Sequence, residues 1–191
     1  MSTTRLEAFS DGVIAILITI MVLELKVPHG TDWEALHPTI FTLLMYVLSF
    51  IYLGIYWSNH HHLLHVTARV NGSILWANLH LLFWLSLVPF VTTWMGENNF
   101  TSLPTSIYGV VLFAAAIAYT ILQATIIKYE GPDSKLKAAL GSDFKGKLSP
   151  ILYLAGIGLA FVQPLLADAL YTTVALMWLV PDKRIEATLT K

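Results

Sequence analysis

Charged residues cut the chain into long apolar stretches. No Lys, Arg, Asp or Glu occurs in 35–68, 70–96, 98–127, 148–167 or 169–181, and a further apolar run, 12–23, lies between Asp11 and Glu24. A helix that crosses the hydrocarbon core of a bilayer needs about 20 mostly apolar residues. The pattern predicts helices over 4–25, 38–60, 72–95, 105–128, 149–166 and 168–181. The last two have little room and are expected to be short or tilted, with Pro164 and Asp168 marking the turn between them. The segment 129–148 is expected to be a loop with one helical turn at Lys135–Leu140, and Gly96–Pro104 a second polar loop. The expected fold is all-α: one polytopic membrane domain over 1–191, six transmembrane helices in all.

Composition points the same way. The chain is 56% hydrophobic and 12% charged, where a soluble domain carries about 25% charged residues. Mean hydropathy is +0.67. This excludes a disordered chain and a secreted disulfide scaffold, and an ordinary soluble enzyme does not fit. A net charge of −1 gives no basic field that would make nucleic acid a partner. With no cysteine there is no disulfide, thiolate metal site or cysteine nucleophile.

The cations set the expected topology. All but Lys26 fall in four groups: Arg5; Arg69; Lys128, Lys135, Lys137, Lys145 and Lys147; and Lys183, Arg184 and Lys191. The positive-inside rule puts each group on the cytoplasmic side. Each interval then holds an even number of crossings, giving three helical hairpins with both termini cytoplasmic and a multi-pass protein of the plasma membrane. Arg5 followed by an apolar run imitates a signal peptide. Asp11 at its start, Glu24 after it and the lack of a small-x-small cleavage site favour a retained helix.

The first helix differs from the others. Twelve uncharged residues rise only about 18 Å, against a core of about 30 Å. Asp11, Glu24 or both must therefore lie near membrane depth, where charges face a protein interior or a water-filled path. On a helical wheel Ile16, Ile20 and Leu23 share one face with Thr19 on its flank, and Asp11 lies about 140° from Ile16. On periodicity alone, such a stripe is ordinary packing.

The segment Arg5-Leu6-Glu7-Ala8-Phe9-Ser10-Asp11 fits Arg-x-x-x-Phe-Ser-Asp, and in this it resembles the first-helix signature of the transmembrane protein 175 family of potassium channels. The continuation through Ile16 and Thr19 to Leu23-Glu24-Leu25 is similar to that family, as are Trp57-Ser58-Asn59-His60-His61 and Trp178-Leu179-Val180-Pro181-Asp182. The resemblance covers essentially the whole chain. It implies a homotetramer of single six-helix units in the lipid bilayer, with four first helices around a pore that passes K+ and no cofactor. It assigns Ile16 to the narrowest hydrophobic ring, Ile20 and Leu23 to rings further out, and Thr19 to a hydroxyl that helps potassium over sodium. It places Arg5, Phe9, Ser10 and Asp11 in a structural network with Trp57, Asn59, His60, His61 and Asn78. The chain has no TVGYG-like filter segment.

Other chemistries remain in view. His60-His61-His62-Leu63-Leu64-His65 resembles a di-iron histidine box, but the chain's seven histidines are too few and His29 and His37 fall on the opposite side of the expected membrane. A haem would need His80 to meet a histidine of the second helix; the plainer alternative is that these histidines hydrate the membrane interface. The rival function is a proton- or metal-coupled transporter with Asp11, His60 and His80 as a relay. A membrane scaffold would pack through Ala114–Ala118 and Gly156–Ala160. Glu24 either draws cations to the outer mouth or is offset by Lys26. An enzyme would need a nucleophile constellation, a phosphate loop or an HExxH motif, and the chain has none of them.

Overall fold

Short polar side chains fix where helices begin. Ser2 accepts the Arg5 N–H, Asn71 accepts the Ile74 N–H at 2.9 Å, and Asp143 accepts the Gly146 N–H at 3.1 Å. Each satisfies a donor that the first turn of a helix leaves unpaired. The computed structural model describes residues 2–131, 134–140 and 143–179, and regular structure there is entirely helical. The elements are α1 (Thr3–Leu23), α2 (Trp33–Leu36), a 3-10 turn (His37–Thr39), α3 (Ile40–His65), α4 (Gly72–Ser86), α5 (Val88–Glu97), α6 (Ser102–Glu130), α7 (Lys135–Leu140), α8 (Phe144–Leu159) and α9 (Pro164–Leu179).

Among the described residues, four stretches are long and apolar enough to cross a membrane: Thr3–Leu23, Trp33–His65, Gly72–Glu97 and Ser102–Glu130. The third is bent. Pro89 has no N–H for the Leu85 carbonyl and its ring crowds that group, so the helix breaks at Leu87 into α4 and α5. α8 and α9 have 16 residues each, a rise of about 24 Å.

Several predicted boundaries shift. α3 runs on to His65, so the histidine cluster is helical. α8 begins at Phe144 rather than 149, because Asp143 caps it ahead of Pro150. α9 opens on Pro164, whose missing N–H costs nothing in a first turn. Asp168 is therefore a turn inside α9, and the turn itself is at 160–163, where the Gln163 N–H reaches the Leu159 carbonyl at 2.8 Å. Val180, Pro181, Asp182 and the last cation group lie outside the described residues.

α6 runs through the middle of the bundle and packs on α4, α5, α8 and α9. Ala115 and Ala118 are fully buried on it. Close approach is sharpest around Tyr171 of α9: a Cβ on Gly109 of α6 would lie 2.0 Å from its hydroxyl, and one on Gly156 of α8 would lie 2.4 Å from its ring. α1 packs on α3, α4 and α5, which leaves one of its faces uncovered.

Candidate functional site on the first helix

Burial along α1 follows the helical period. Leu6, Ser10, Ile14, Leu17 and Met21 recur every three or four residues and are buried. The opposite face is open. Ile16 is 57% exposed, Ile20 39% and Leu23 80%, with Gly12 and Ala15 beside them. Thr19 shares this face, and its hydroxyl donates to the Ile16 carbonyl at 2.9 Å. That bond commits the hydroxyl hydrogen to the backbone and leaves the oxygen only lone pairs to offer.

Behind the open face lies a buried polar chain. Ser10 of α1, His60 of α3 and Asn78 of α4 are all fully buried. The Asn78 amide donates to Ser10 Oγ at 3.0 Å, and Ser10 donates to the Leu6 carbonyl at 2.9 Å. Asn78 Oδ1 faces His60 Nε2 at 2.7 Å. An amide oxygen only accepts, so Nε2 carries the proton and Nδ1 is left as an acceptor. His60 Nδ1 and Asp11 Oδ1 are both buried without a partner, and the Asp11 carboxylate is within electrostatic reach of His60. Three helices are thus keyed to one another by side chains with no water to fall back on.

The rest of the expected network is arranged differently. Arg5 is exposed, and its guanidinium has no hydrogen bond or ion pair among the described residues. Phe9 and Trp57 are also exposed. Asn59 turns back on its own helix, donating to the Ile55 carbonyl at 2.9 Å, and only its backbone carbonyl reaches another helix, through the Tyr119 hydroxyl. His61 pairs with Glu7 at 2.6 Å. The sequence pointed to His61 but not to Glu7, which occupies a free position of the signature; its charge at the same helix end as His61 was the available signal.

His80 accepts the Trp84 indole N–H at 2.9 Å on its own helix. No contact among the described residues joins it to His60, so the Asp11–His60–His80 relay is not assembled within the subunit. Among the described residues no group of three or more His, Asp and Glu could hold a metal ion. Lys26 pairs with Glu97 at 2.6 Å, not with Glu24.

A family model described as the endosomal/lysosomal potassium channel TMEM175 matches residues 5–89. A protein of Chryseobacterium sp. (strain P1-3), described as a potassium channel, is 58% identical over 189 residues, covering 99% of this chain and 98% of that one. The chain belongs to the TMEM175 family. The TMEM175 match takes in α1, α3 and α4, hence the whole open face and the buried Ser10–His60–Asn78 chain. A Streptomyces collinus relative, also described as a potassium channel, is 32% identical over 91% of this chain and 90% of its own length. Among solved structures, that of a lysosomal potassium-selective channel TMEM175 homolog from Chamaesiphon minutus superposes with a TM-score of 0.79 at 28% identity. It covers 94% of this chain and 97% of that one. TMEM175 proteins are ion channels rather than enzymes, and the family calls for no cofactor.

Proposed function

We propose that this chain is one subunit of a homotetrameric, potassium-selective channel of the plasma membrane, with six spans and both termini in the cytoplasm. The carrying observation is the open face of α1: one side of the helix is packed, and the other leaves Ile16, Thr19, Ile20 and Leu23 exposed. One helix cannot enclose a path, but four related by rotation can. The names of the Chryseobacterium and Streptomyces relatives supply the ion.

In this assembly Ile16 forms the narrowest ring, Ile20 and Leu23 form rings further out, and the Thr19 oxygen is the nearest polar group. A constriction of this kind stops flow by shedding water and discriminates by the cost of stripping each ion. Potassium holds its water less tightly than sodium, so weak coordination in a narrow ring favours it. Arg5, Phe9, Ser10, Asp11, Trp57, Asn59, His60, His61 and Asn78 serve structure rather than conduction, within a subunit or between neighbours.

Passive flux from proteoliposomes tests this. Fast K+ efflux with slower Na+ efflux, driven by the ion's own gradient, is expected. Flux that appears only with a proton or divalent-metal gradient would sink the channel in favour of a carrier. Ile16→Asn should wet the constriction, raising flux and lowering the K+/Na+ permeability ratio. An unchanged conductance and ratio would remove Ile16 as the bottleneck.

A further inference from the structure

A second concavity lies away from α1, between α3, α6, α8 and α9. Its walls are aromatic, with Tyr52 and Tyr56 from α3, Tyr119 from α6, Tyr153 from α8 and Trp178 from α9; Asp143 lines it at the start of α8. Asp143 Oδ1 is taken by the Gly146 N–H as the helix cap, and Oδ2 is not part of that bond. The Asp143 charge is within electrostatic reach of Tyr119. The Lys145 Nζ lies 5.9 Å from the Trp178 ring centroid, within the range at which a ring face attracts a cation.

Size narrows the choice. The recess has ≈ 50 Å³ for water-sized occupants, and one water takes about 10–15 Å³ on that measure. The space therefore suits about three to five heavy atoms. Asn59, Thr120, Gln123 and Ser149 add neutral oxygens to the lining, but a single carboxylate offers little charge to strip a divalent ion of its water, whereas the aromatic walls suit a cation whose charge is spread over methyl groups.

We infer that this recess binds a small methylated ammonium group, enclosed by the aromatic walls with Asp143 as counter-charge. The site is intrasubunit and shares no residue with the open face of α1. The group comes either from a free quaternary amine or from a choline lipid headgroup.

The test follows the melting temperature of the protein in phosphatidylglycerol nanodiscs during titration with tetramethylammonium chloride, against sodium chloride at equal ionic strength. A saturable rise beyond the salt control is expected for the native chain and for Ile16→Asn. Asp143→Asn and Trp178→Leu should each weaken the apparent affinity by about tenfold or more. Asn keeps the helix cap and tolerates the left-handed φ of 38° at this position, so that variant isolates the charge. Repeating the titration in phosphatidylcholine nanodiscs separates the sources: a lost response marks the lipid headgroup as occupant, and an equal response marks a free amine. No saturable rise, or a rise unaltered by both substitutions, overturns the inference. So does a rise lost in Ile16→Asn alone, which would put the ammonium in the α1 pathway.

Discussion

Asn78 holds together more of the buried polar structure than any single charge does. It donates to Ser10 and accepts from His60, with all three fully buried. Asn78→Leu keeps similar bulk but strands the His60 Nε2–H, and a buried unpaired donor costs about 1–3 kcal/mol. A lower melting temperature with an unchanged K+/Na+ ratio is expected; a changed ratio would tie Asn78 to conduction. Asp11→Ala should reduce the tetramer fraction on size-exclusion chromatography while leaving the ratio of any remaining tetramer intact. Intact tetramers with an altered ratio would count against a structural Asp11. At this scale the sequence was partly legible. Ser10, His60 and Asn78 stand out as polar residues in apolar runs, and burial of such groups forces them to find one another. The charge of Glu7 marked it as a possible partner at the helix end of His61, but the pairing itself and the exposure of Arg5 were not legible, because a wheel drawn for one helix carries no information on the rotation of its neighbours.

Among the elements, the tightest joint is where α6, α8 and α9 meet at Tyr171. Gly109 and Gly156 are glycines because the Tyr171 ring fills the place of their Cβ atoms. Gly109→Ala should cost about 1–3 kcal/mol through overpacking, read as a lower melting temperature, and Tyr171→Phe in the same chain should recover part of it by removing the nearest atom. An equal loss with and without the phenylalanine would exclude the hydroxyl as the cause. Element positions were largely legible, since charges bracket the runs that become α1, α3 and α6. Their ends were less so. Charges mark where an apolar run stops, whereas helices start at caps and break at prolines. Asp143 therefore opens α8 earlier than the apolar run suggested, Pro164 opens α9 where a turn was expected, and Pro89 divides what the pattern read as one helix.

For the molecule as a whole, the packing leaves the amphipathic first helix at the edge of its own bundle, so the proposed path exists only between copies. The hydroxyl of Thr19 then bears on more than the choice between two cations. Its hydrogen is held by the Ile16 carbonyl, and the other open positions from Gly12 to Leu23 carry no donor at all. Chloride would need hydrogens to replace those of its hydration shell, and four such faces offer none beyond backbone N–H groups already engaged in the helix. The path would therefore refuse anions along its length without a fixed negative charge on that stretch, and sign discrimination would precede the finer separation of potassium from sodium.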